Sequence, residues 1–228
     1  FAQNIPEIWP KLGRLLDMTP LYHTGGSHRV VVLCEHGHCI LFDSLSKSLQ
    51  HVTPPFSKLP PRSPTSNNPS GFILDLTKQK CAMVMEGLLL CSRLKSRAFT
   101  LLWKLEVPKA CSGCVVDCPS GKYVWLGSTG RVSRVLVSGE GDKKREVFTW
   151  PGHPLSPVHS CVFLANQGKV WTSGEREVCV WHAGTTDLLA TIGSVSLNEA
   201  PFVTLSAGWL MEGKARFRDD GIKKKGSR

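Results

Sequence analysis

The sequence predicts an all-β chain: a partial β-propeller of about four to five four-stranded blades, entered through a short N-terminal helical segment. Three observations predict it. Helical periodicity nearly disappears after His28, and short apolar runs rich in β-formers take over, separated by Gly, Pro, Ser and Asn. After a first group of three, these runs fall into groups of four, with a fifth group beginning. A Trp recurs ahead of a short turn in the last three groups, at Trp125, Trp171 and Trp209, spaced by 46 and 38 residues. Repeats of roughly 40–50 residues with four strands each are what propeller blades require. A four-stranded sheet cannot bury both faces alone, whereas radial stacking buries each face against a neighbour.

The elements follow in chain order. Residues 1–27 read as a lead-in, with a short helix from Pro10 to Met18 that sets Trp9, Leu12, Leu15 and Leu16 on or near one face. Residues 28–218 read as the blades. RVVVLCEHGHCILFDSLSKSLQHV gives three strands, with turns near Glu35-His36-Gly37 and Leu45-Ser46-Lys47. The stretch 54–71 carries six prolines among Ser, Thr and Asn, which forbids a regular element and reads as a loop bulging between the first two blades. Four strands follow at Phe72–Leu76, Cys81–Met85, Leu88–Ser92 and Thr100–Glu106. CVVDCPSGKYVWLGSTGRVSRVLV and its continuation to Trp150 give four more, with SGEGDKK as an outer hairpin, and SCVFLANQGKVWTSGEREVCVWHAGTTDLLATI repeats the order. FVTLSAGWLMEGKARFRDD starts a fifth group, and 219–228 reads as a basic tail without apolar periodicity.

YVWLGSTGRVSRVLV, KVWTSGEREVCVWHA and TTDLLATI resemble segments of WD-repeat and WD-like β-propellers, where a V-x-V-W strand leads into a turn and an outer strand. In this reading no blade opens on a Gly-His pair and none ends in Trp-Asp, so the resemblance is to a degenerate propeller. It covers about residues 28–218. Propellers of this sort occur in large signalling and trafficking proteins such as leucine-rich-repeat kinases and the exchange factors of Rho and Rab GTPases. The resemblance therefore implies a protein-interaction scaffold, a small-GTPase-pathway component among its partners, and any catalytic domain outside this chain. Four blades and the start of a fifth are too few for the usual ring of about seven; with Phe1 in place of a methionine, the chain reads as part of a longer protein.

Composition narrows the function classes. Apolar residues make up 41%, enough for a sizeable core. No apolar run approaches the roughly 18 residues of a spanning helix, and no signal peptide is visible. Nine scattered cysteines, several inside strand-like runs, do not form a secreted disulfide framework and imply a reducing compartment, cytosol or nucleus, of which the cytoplasm is the expected location. The net charge of +10 concentrates at Lys143-Lys144-Arg145 and from Lys214 to Arg228. That clustering favours a solubilising end over a nucleic-acid site, and keeps an anionic membrane surface as the second reading.

Two motifs invite metal or redox chemistry. Cys34-Glu-His36-Gly-His38-Cys39 holds two thiols and two imidazoles, but its spacing suits a turn between two core cysteines better than zinc. Cys111-Ser-Gly-Cys114 is a CxxC followed by Cys118, yet it continues as a strand, on which Cys114, Val116 and Cys118 share one face. No P-loop, GxSxG, HExxH or kinase signature appears, so the sequence supports no catalytic, cofactor or metal residue. The candidate contact residues lie on the turns that follow the equivalent strand of each blade: His36 and His38; Ser128, Thr129 and Arg131; Glu175 and Arg176; and the loop 213–215.

Overall fold

Short apolar strands close into hairpins wherever a residue can turn the chain. The computed structural model describes residues 12–22, 28–52, 71–77, 80–95, 98–137, 145–154 and 156–193. Among them, sixteen strands form four antiparallel four-stranded sheets, each in sequence order. The first sheet holds β1 (Leu15–Tyr22), β2 (His28–Cys34), β3 (Cys39–Asp43) and β4 (Ser48–Val52). The second holds β5 (Gly71–Thr77), β6 (Lys80–Met85), β7 (Leu88–Lys95) and β8 (Ala98–Glu106). The third holds β9 (Ala110–Cys118), β10 (Gly121–Ser128), β11 (Arg131–Leu136) and β12 (Val147–Pro151). The fourth holds β13 (Ser160–Leu164), β14 (Lys169–Ser173), β15 (Glu177–His182) and β16 (Leu188–Gly193).

Turn chemistry fixes the registers. The Asp43 carboxylate accepts the Leu45 and Ser46 N–H groups at 3.0 and 3.1 Å and closes the β3–β4 hairpin. Glu86 and Gly87 both take positive φ, 45° and 82°, which gives the β6–β7 hairpin a two-residue turn matched to strand twist.

The N-terminal helix expected over 10–18 is corrected by β1, which begins at Leu15 and supplies the first sheet with its fourth strand. Gly13, at φ +69, takes a left-handed conformation that ends any helical turn at Leu12. Met18, Thr19 and Pro20 then pair with Val32, Val31 and Val30, and Leu21 is buried between the first two sheets. Pro20 is tolerated because β1 is an edge strand of its sheet. The other strand expectations meet observed strands, while most of the 54–71 loop, the SGEGDKK turn, the fifth group with Trp209 and the tail 219–228 lie outside the described residues.

Period-2 alternation stacks the sheets. Cys81, Met83 and Met85 of β6 face the first sheet, packing with Val31, Leu33 and Leu41, whereas Ala82 and Val84 face the third, packing with Val124 and Leu126. Trp125, between those two β10 residues, turns the other way and packs with Val158, Val170 and Trp181. Each sheet thus touches the next along one apolar seam, and the first strands β1, β5, β9 and β13 lie side by side in that order. Polar struts cross the same seams. Asp17 accepts the Ile73 N–H at 2.9 Å, Lys122 donates to the Leu76 carbonyl at 2.9 Å, and Arg134 donates to the Gly184 carbonyl at 2.9 Å.

Candidate functional site

In an antiparallel sheet, the end of the second strand lies beside the start of the first. The turn between strands two and three therefore shares an edge with the segment that enters a blade. Backbone bonds carry this edge from blade to blade. Val107, entering β9, donates to Gly87 O at 2.9 Å, and Gly130 donates to Ser156 O at 3.0 Å while accepting from Gly152 at 3.1 Å. His159, entering β13, donates to Ser173 O at 2.8 Å. The second-to-third-strand turns of the blades consequently face one end of the stack.

This end holds the candidate contact residues. Thr129, Arg131, Glu175 and Arg176 are exposed there. Ser128 is buried, and its hydroxyl donates to the Arg131 carbonyl at 3.2 Å, so it closes the turn and does not present itself to solvent. His38 is half-buried against His51, with ring nitrogens 3.3 Å apart; the His36 side chain and the loop 213–215 lie outside the described residues. Sequence reasoning missed the equivalent turn of the second blade, where Glu86 pairs with Lys109 at 3.4 Å. The two-residue Glu-Gly turn after MVM was its signal.

Gly152, His153 and Ser156 lie against the Gly130 and Gly174 turns, and the anchor among them is a residue that sequence reasoning passed over. Gly152-His153 is a Gly-His pair ahead of β13, which corrects the reading that no blade has one. His153 is fully buried. Its Nε2 lies 2.8 Å from the Thr172 hydroxyl, which also accepts the Trp181 indole N–H at 2.8 Å. Burial lowers the His153 pKa against the opposing pull of Glu177, whose carboxylate is 3.4 Å from Nδ1, so the imidazole is neutral in the fold. A Cβ on Gly174 would stand 2.7 Å from His153 Nδ1 and 2.7 Å from Ser156 Oγ; only glycine lets the turn lie this close.

His153, Glu177 and Cys179 bring an imidazole nitrogen, a carboxylate oxygen and a thiol sulfur within 4.8 Å of one another. Burial raises the Cys179 thiol above its ordinary value. The group acts as a strut that fixes the loop to the fourth sheet. Among the described residues, those of the Cys34–Cys39 motif form no such group. Burial pushes Cys39 up to about 12, and its sulfur lies 3.7 Å from Gly37 O and 4.0 Å from Met83 Sδ. Cys114 and Cys118 do share the face expected of them, toward the fourth sheet, and Cys111 is exposed. Of the basic clusters, Arg145 lies over the Trp103 ring at 4.3 Å, while Lys143, Lys144 and the C-terminal charges lie outside the described residues.

No family model and no curated protein matches this chain. Solved structures do. The C-terminal WD40 domain of Sif2 aligns over 79% of this chain and 46% of its own, at 14% identity and a TM-score of 0.53. A chain of a mitotic checkpoint complex aligns over 79% and 51%, at 16% identity and a TM-score of 0.55. A protein from Lactobacillus plantarum aligns over 72% and 54%, at 12% identity and a TM-score of 0.57. This chain therefore has the fold of a WD40-like β-propeller, and it spans about half the length of these structures.

Proposed function

We propose that this chain is a non-catalytic protein-interaction platform, the propeller portion of a larger cytoplasmic signalling or trafficking protein. The observation that carries the reading is the turn-bearing end, where Thr129, Arg131, Glu175 and Arg176 stand exposed on turns whose backbone is hydrogen-bonded, the first of them to Gly152 and Ser156. Turns whose backbone is already hydrogen-bonded lose little backbone freedom on docking, which favours affinity. WD40 domains generally serve as interaction scaffolds, and one structural neighbour belongs to a multi-protein complex. The expectation of a reducing compartment rests on the scattered cysteines of the sequence alone. The expectation of a small-GTPase-pathway partner rests on the sequence resemblance alone.

The test replaces the rim by T129A/R131E/E175K/R176E and, separately, alters the outer edge by F148S, then compares the proteins that co-purify with each. Loss of partners with the rim variant alone, at unchanged circular dichroism, supports the reading. Equal retention by both variants overturns it.

A further inference from the structure

The third and fourth sheets meet along their first strands, β9 and β13, and two cysteines from the two strands face each other across that seam. Cys114 Sγ lies 3.3 Å from Cys161 Sγ. Both are free thiols; Cys161 is buried and Cys114 half-buried. A disulfide needs its sulfurs at about 2.05 Å, so closure asks for little more than an ångström of side-chain movement. The strands beneath are held in place, because Ser112 donates to Val158 O at 2.7 Å and a Cβ on Gly127 would strike Val158 at 2.5 Å.

We propose that Cys114 and Cys161 form a redox modification site, at which a peroxide joins the two thiols into a disulfide that staples the third blade to the fourth. The atoms balance in two steps. One thiolate attacks a peroxide oxygen, giving a sulfenic acid and releasing water after proton transfer; the second thiol then displaces the sulfenic oxygen as water. In total, two thiols and one hydrogen peroxide give one disulfide and two waters, each sulfur losing one electron. The staple joins the two blades that carry Thr129, Arg131, Glu175 and Arg176. The sulfur contact and burial both raise the Cys114 thiol well above its ordinary value, so the bond forms slowly at neutral pH and faster as pH rises.

The site is distinct from the Cys111–Cys114 motif. Cys111 is exposed at an irregularity of the β9–β10 pairing, whereas Cys114 packs toward the fourth sheet. The test uses the full chain carrying C111S, to remove that exposed thiol. It is treated with hydrogen peroxide at several pH values, alkylated, and mapped without reduction. The expected result is a peptide linking Cys114 to Cys161, formed faster at higher pH. The melting temperature should rise by about 5 °C or more, reversibly on adding dithiothreitol. C161S should abolish both the peptide and the shift, and C161A checks that lost packing is not the cause. Recovery of Cys114 and Cys161 as free thiols, as separate sulfinic acids, or with Cys114 bridged to Cys118 would overturn the proposal.

Discussion

Thr172 carries two hydrogen bonds on one hydroxyl, one shared with His153 Nε2 and one accepted from the Trp181 indole, beside a titratable ring that water cannot reach. The consequence is a pH dependence with a definite sign. In the folded chain burial lowers the His153 pKa from its ordinary 6.5, whereas the unfolded chain protonates it near that value. Below pH 6.5 the unfolded state binds more protons, so its free energy drops relative to the native state. The contribution of neutral His153 is thus complete above about pH 6.5 and is lost as pH falls from there toward the folded value. His153→Gln removes the titration and keeps an amide for Thr172. Urea denaturation between pH 5 and 8 should show the midpoint of the parent chain falling below pH 6.5 more steeply than that of the variant; parallel curves would refute the assignment. This residue was hidden in the sequence by its neighbours. Pro151, Pro154 and Pro157 make the stretch read as linker, although the signal, a Gly-His pair seven residues before the SCVFL strand, was present. Ser128 was misjudged for a related reason: alternation cannot tell an exposed turn hydroxyl from one folded back onto its own turn.

Strands were legible where both faces are buried, because a run such as CAMVM or YVWLG tells its own story by length, β-formers and flanking turns. β1 was not, because the leucines in PKLGRLLDM recur at helical spacing, and only pairing with β2 overrides that local preference. The recurring Trp was legible in position but not in partner. Trp125 is fully buried in the seam to the fourth sheet, stacked edge-on with Trp150 at 5.0 Å, whereas Trp171 stays half-buried on the face of the fourth sheet turned from that seam. The sequence also could not show which glycines are forced by close approach. A Cβ on Gly113 of β9 would meet Phe72 Cε2 at 2.7 Å and the Trp125 carbonyl at 2.8 Å, so Phe72 of the second sheet lies directly against backbone. Gly193, at the end of β16, has nothing within 4 Å. Gly113→Ala should therefore cost about 1–3 kcal/mol by overpacking, and Gly193→Ala should stay within about 0.5 kcal/mol of the parent. Chemical denaturation of the two variants side by side checks the contrast.

At the scale of the whole molecule, the hydrophobic residues divide into seams and not a common centre. The Met83 cluster joins the first and second sheets, the Val124 cluster the second and third, and the Trp125 cluster the third and fourth. Apart from these, one small buried group, Leu12, Cys34 and Ile40, sits on the outer face of the first sheet. An array in which each unit contacts only its neighbours is stabilised by a sum of unit and interface terms, so damage to one interface need not spread. Trp125→Ala tests this, because it empties the largest fully buried side chain of the third seam at an expected cost of about 3–5 kcal/mol. Amide hydrogen exchange should then speed up in β13 through β16 and in β10, while β3 and β6, which bracket the Met83 cluster, keep the protection of the parent chain. If β3 and β6 lose protection to the same degree, the four sheets unfold as one unit, and the struts from Asp17 to Ile73 and from Lys122 to Leu76 couple the seams more strongly than their apolar contacts imply. If protection falls only beyond the third sheet, each blade leans on its neighbour alone. The contacts of Gly152 and Ser156 with Gly130, which brace the interaction edge beside that weakened seam, would then be the first part of the rim to loosen.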